Sequence, residues 1–182
     1  MTSDLVFWVI ARSSGVACLA ALSISMLTGM AMRSDVLTWL SRNRGIRLLH
    51  DFTNWLWIPL GALHVAALVA DSTAQIRLLD LYVPFGVPYA RLQLGLGTFS
   101  LLLLTIVAVS TWLRRWMQHR DWVTMHRLSY LGFAAAFAHS LLSGTDLADP
   151  RVAIPAWTIA AVLGLFAVTR LASYVMQETP GT

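Results

Sequence analysis

Of the five histidines in the 182-residue chain, four fall in two apolar stretches. His50 and His64 stand 14 residues apart in one, and His126 and His139 stand 13 apart in the other. An ionisable ring within an apolar span is costly and calls for a partner, and a metal is the commonest strong partner of a neutral imidazole. If the two stretches cross a membrane in the same direction, His50 is level with His126, and His64 with His139. At about 1.5 Å of rise per residue the two levels lie about 20 Å apart. A dinuclear metal site, with ions about 3.5–4 Å apart, cannot span that gap. Two transverse pairs suit two haem irons, each taking one axial imidazole from each side. The expected cofactors are therefore two b-type haems, non-covalent because no Cys-x-x-Cys-His is present. Levels so spaced cover most of a bilayer core about 30 Å thick and make an electron path across it.

One feature of the spacing strains this scheme. Fourteen residues return a helix to within about 40° of the same face, whereas thirteen leave it about 140° away. Either the second stretch is distorted near Gly132, or the two haem planes are rotated relative to each other. His119, beside Arg120 and Asp121, has no counterpart at its depth and reads as a solvated loop residue.

These histidines need helices to hold them, and the composition supplies apolar ones. The chain is 57% hydrophobic and 12% charged, against about 45–50% and about 25% in soluble domains. An ordinary soluble enzyme and a disordered chain are both excluded. A bilayer crossing takes about 20 apolar residues, and five stretches are expected to serve: 5–32, 48–70, 92–113, 122–145 and 152–176. The fold class expected is an all-α membrane protein, one bundle of about five transmembrane helices with haems between the second and fourth spans. Asp149-Pro150 marks the turn before the last span, and Pro155 falls in its first turn. No cleavable signal peptide is expected, because Asp4 replaces the usual basic start and the first apolar run is too long.

All 13 basic residues are Arg, and the net charge is +4. In so apolar a chain this is loop charge of a membrane protein rather than a nucleic-acid footprint. Arg33, Arg42, Arg44 and Arg47 fall between spans one and two, and Arg114, Arg115 and Arg120 between spans three and four. On the other side Arg12, Arg77, Arg91 and Arg151 are diluted by aspartates. The positive-inside rule makes the Arg-rich side cytoplasmic, with the N-terminus outside and the C-terminus inside a cell membrane. Cys18 is the one cysteine, so no intrachain disulfide or Cys-ligated cluster can form.

Haem propionates need cations. Arg12, about two turns into span one, is the candidate at the outer haem; snorkelling to the interface is the alternative. Arg44, Arg47 and Arg127 are candidates at the inner haem, or topology charges facing lipid phosphates. Trp55 and Trp57 lie between the two ligand levels, where one could contact a haem or simply pack. Most other tryptophans read as interface anchors. Met26, Met30 and Met32 read as packing, because four histidines already fill both sites. Gly95-Leu96-Gly97 lacks the strand and third glycine of a nucleotide loop and reads as small-residue helix packing.

Three segments carry a family resemblance: "ARSSGVACLAAL", "LLHDFTNWLWIPLGALH" and "WVTMHRLSYLGFAAAFAHSLLSGTD". They resemble the ferric reductase-like transmembrane domain, which includes ferric reductases, NADPH oxidases and the haem subunit of the bacterial methionine-sulfoxide reductase system. The 14-then-13 spacing, and Trp55 five residues after the first histidine, are similar to the oxidases. The resemblance implies that His50 and His126 ligate the inner haem, and His64 and His139 the outer one. It also implies an Arg in a place comparable to Arg12. Oxidases carry a further His one turn beyond the second ligand, where this chain has Leu68, which argues against superoxide production. Flavin and nicotinamide domains are expected on a separate polypeptide, if at all.

The expected function is a di-haem transmembrane electron carrier, an oxidoreductase component. It would take electrons from a cytoplasmic reductase, flavoprotein or membrane quinol. It would pass them to an outer acceptor such as ferric iron or a periplasmic redox protein. Two other classes compete. A non-redox anchor or assembly subunit would satisfy its histidines by hydrogen bonds. A proton-coupled transporter would need acidic residues within its spans, and only Asp51 stands at an edge.

Overall fold

The computed structural model describes residues 3–33, 39, 42–143 and 149–178, with the side chains of 167 and 169–178 outside that description. The described residues form five long helices and no strand: α1 (Ser3–Ala31), α2 (Arg44–Ala70), α3 (Arg91–Trp112), α4 (His119–Ser143) and α5 (Pro150–Glu178). Short 3-10 turns occupy Leu78–Leu81 and Arg114–Trp116. The expected helices are all present, with shifted ends. Helix α2 starts earlier because the Asn43 side chain accepts the Gly45 N–H at 2.8 Å and caps it. Helix α5 starts at Pro150, where Asp149 Oδ1 accepts the Arg151 N–H at 2.8 Å, so Pro155 lies inside the helix rather than in its first turn. Helix α4 begins at His119, which is therefore helical and not a loop residue. The end expected at Thr145, and the side chain of Arg170, lie outside the described residues.

Helices α1, α2 and α3 are long and apolar enough to cross a membrane, each holding an 18-residue stretch of mean hydropathy 1.9, 1.4 and 2.1 respectively. Their large exposed side chains, among them Leu5, Trp8, Val9, Phe52, Trp55 and Leu92, would be unusual on a soluble surface. Helix α4 has the length for a crossing at 25 residues, but three histidines and two arginines dilute its apolar character.

Helix α1 packs along α2 and α3 along α4, and the resulting hairpins meet along a seam where α1 also touches α4 and α5. In the first hairpin the pairing steps by seven residues in opposite directions: Ala11 faces His64, Cys18 faces Trp57, and Ser25 faces His50. In the second, Gln93 faces His139 and Ser100 faces Gly132. Leu22, Met30, Leu104, Phe133 and Leu163 form the buried core of the seam, with Trp57, Phe137 and Phe166 against them.

Candidate cofactor site

The seam is where the four histidines meet. His50 faces His126 with ring centroids 6.5 Å apart, and His64 faces His139 at 6.4 Å, each pair near perpendicular. Both pairs join α2 to α4, and early residues meet early while late residues meet late, so the two helices run parallel. The separation is informative. An N–H···N bond of about 3 Å would hold the centroids roughly 5 Å apart, closer than observed. With metal–imidazole bonds of about 2 Å and ring nitrogens roughly 1 Å from the ring centre, two imidazoles on one ion stand about 6 Å apart.

The far side of three rings is tied to backbone. His64 Nδ1 donates to the Ala11 carbonyl at 2.7 Å, His139 Nδ1 to the Gln93 carbonyl at 2.8 Å, and His50 Nδ1 to the Ser25 carbonyl at 2.9 Å. A carbonyl only accepts, so each Nδ1 carries the proton and each Nε2 keeps its lone pair for a metal. Glycines let the helices close on these rings. A Cβ on Gly15 would stand 2.9 Å from His64 Nδ1, one on Gly29 3.0 Å from His50 Cε1, and one on Gly97 3.0 Å from His139 Cε1. Gly97 thus accommodates a histidine ring, a more specific task than small-residue helix packing. Its neighbour Gly95 takes the Phe85 ring of the 71–90 loop.

His126 differs. Its Nδ1 is buried with no hydrogen-bond partner. Helix α4 runs unbroken through Gly132, so of the two alternatives the distortion is absent. One further heptad in the α3–α4 register pairs Val107 with Met125, which leaves His126 one residue, about 100°, out of step. The thirteen-residue spacing therefore turns this ring from the α3 carbonyls that serve His139. A buried polar atom left unpaired costs about 1–3 kcal/mol.

Each level has its own cavity, named outer at the His64–His139 level and inner at the His50–His126 level after the topology expected from the arginines. The larger, about 1110 Å³ including its open mouth, is lined by His64, His139, Gly15, Gly97 and the loop residues Ile76, Asp80 and Val87. The smaller, about 650 Å³, is lined by His50, His126, Gly29, Asn54, Arg33 and Arg127. Leu22, Trp57 and Leu104 border both and form the partition. Among the described residues no three His, Cys, Asp or Glu side chains converge on one point. The donor set at each level is a pair, which is what a metal already held in a macrocycle requires.

The remaining candidates divide. Arg127 borders the inner cavity, and Arg33 joins it there. Arg44 and Arg47 are exposed at the start of α2 and border neither cavity. Arg12 lies over the Trp8 ring at 4.5 Å, next to Ala11, and does not border the outer cavity. Trp55 is corrected: it is 73% exposed and borders neither cavity. Two residues on, Trp57 lies seven residues from both His50 and His64 and faces the seam between them, a heptad spacing that the sequence already carries. Met26 and Met30 border the inner cavity alongside their packing role.

Residues 71–90 fold across the outer cavity. Thr73 donates to Asp71 through its N–H at 2.9 Å and its hydroxyl at 2.6 Å. Ser72 Oγ donates to Asp4 at 3.0 Å and ties the loop to α1. Arg77 pairs with Asp80 at 3.3 Å, Arg91 Nε donates to the Phe85 carbonyl at 2.8 Å, and the Tyr89 hydroxyl donates to the Ala74 carbonyl. The Thr73 hydroxyl holds the Asp71 carboxyl below its ordinary range, and the Arg77 side chain does the same for Asp80.

Comparison with protein-family models, curated proteins and solved structures finds no match to this chain.

Proposed function

We propose that this protein is a di-haem b-type electron carrier of the membrane, of the ferric reductase-like kind. The observation that carries the proposal is the pair of inter-hairpin histidine couples at 6.4–6.5 Å, each too far apart for a mutual hydrogen bond and spaced for one metal ion between them. His64 and His139 hold the outer haem, and His50 and His126 the inner one. Bound haem supplies one-electron chemistry. The chain's own groups orient the four imidazoles through Ala11, Ser25 and Gln93, and keep water from the seam with Leu22, Trp57 and Leu104. Arg33 and Arg127 offer positive charge to the inner propionates.

All five helices cross the membrane in this reading, α4 included, because binding haem offsets the polarity of its histidines. The Arg-rich connections lie in the cytoplasm, so the inner pair meets the reductant. A separate reductase, flavoprotein or membrane quinol donates, and an acceptor such as ferric iron or a periplasmic redox partner receives beyond the 71–90 loop. A proton relay is disfavoured because Asp51, the acidic residue nearest either pair in sequence, is exposed on α2. Pyridine haemochrome analysis of the purified full chain tests the proposal. About two haems per polypeptide are expected; a folded, haem-free protein that resists reconstitution contradicts it.

A further inference from the structure

The members of the inner pair are held unequally. His50 Nδ1 donates to the Ser25 carbonyl at 2.9 Å, with the Thr28 and Ser25 hydroxyls at 3.3 and 3.4 Å, and Gly29 fits against its ring. His126 Nδ1 is buried with no partner, and no glycine among the described residues cradles its ring. Apart from His50, the ring contact recorded for His126 is Trp122, stacked at 5.0 Å, whose own Nε1 is buried and unpartnered. In the outer pair both rings are tied to carbonyls, at 2.7 and 2.8 Å. A ligating imidazole ordinarily hands its second N–H to an acceptor, which fixes the ring and raises its basicity. Losing that partner weakens metal binding about 10–100-fold.

We infer that His126 is the detachable axial ligand of the inner pair, so that the inner site admits a small uncharged diatomic molecule such as carbon monoxide while the outer site stays closed. The inference rests on the di-haem reading above. The exchange breaks one metal–nitrogen bond, forms one metal–carbon bond, and moves no electron or proton; the His126 lone pair is simply released. The same asymmetry makes His50 the anchor. Removing His126 leaves a haem held from one side, and removing His50 leaves none.

The test uses dithionite-reduced, purified full chain titrated with carbon monoxide, beside the His126→Ala and His50→Ala variants. Half of the wild-type haem absorbance is expected to shift. His126→Ala keeps its inner haem in a high-spin, carbon monoxide-reactive form. His50→Ala loses its inner haem under conditions in which His126→Ala keeps it, and its remaining haem is inert. Two haems both inert in the wild type overturn the inference, as does equal haem loss in the two variants. A reactive haem persisting in His50→Ala also overturns it, because that haem is the outer one. Should His50→Ala not accumulate, the wild-type titration decides alone. A wild type without haem refutes the di-haem reading itself, a result distinct from two inert haems.

Discussion

At the scale of single residues, the closeness of glycine to histidine decides whether each ring can reach the seam. Gly15 is the sharpest case, because even a methyl group there meets His64 Nδ1 at 2.9 Å. Gly15→Val is therefore expected to push the ring away, removing the outer haem while sparing the inner one, so that haem content falls by about half. Gly164, whose added Cβ would meet nothing within 4 Å, is the control, and Gly164→Val should leave haem content unchanged. Unchanged haem in Gly15→Val would contradict the cradle. His64→Ala and His139→Ala should likewise cost the outer haem alone, read from the spectrum that remains. The histidines were legible because type, spacing and apolar surroundings coincide. Gly15 and Gly29 repeat the fourteen-residue interval of His50 and His64, a signal present in the sequence but visible only once the partner helix is known. The heptad position of Trp57 is the signal that separates it from Trp55, which the sequence reading leaves beside it as an equal candidate; Trp55 lies about 140° round the helix from His50 and meets the outside.

The 71–90 loop and the two hairpins are the elements that frame the site. Both Asp71 and Asp80 titrate below their ordinary range because Thr73 and Arg77 bond the charged forms. A carboxyl whose folded value is depressed stabilises the fold above its unfolded value of about 3.9, and the contribution is lost as pH falls through the folded value. The loop should stay closed at neutral pH and loosen only in acid below that range. Cleavage of the loop by an acid protease, followed against pH, checks this. Asp80→Asn, which removes the charge that pairs with Arg77, should bring cleavage at higher pH than in the wild type. An unchanged profile would show that the pair does not hold the loop. Helix existence and order were readable from apolar run length, and the ends were not, because Asn43 and Asp149 set them by capping bonds that hydropathy does not register. The fate of the thirteen-residue spacing was not readable either. It depends on the register between α3 and α4, in which Ser100 bonds the Gly132 carbonyl at 2.8 Å. That register keeps α4 straight and leaves His126 out of step.

For the whole molecule, the parallel course of α2 and α4 makes two stacked sites rather than one, and in the proposed function the arginine asymmetry gives the stack its direction. That pairing of levels follows from counting spans, which is why it was visible in the sequence; the partition by Leu22, Trp57 and Leu104 needed three helices placed together. The central claim is that electrons cross the membrane through this one chain. Its most direct test places the purified, haem-loaded protein in liposomes with NADH and a flavin reductase inside and an impermeant ferric chelate outside. Reduction of the external chelate is expected with wild-type protein and is expected to fall to the rate of empty liposomes in His64→Ala and His139→Ala. Chelate reduction equal in wild-type and empty liposomes, although the interior donor reduces the haems, would contradict the account.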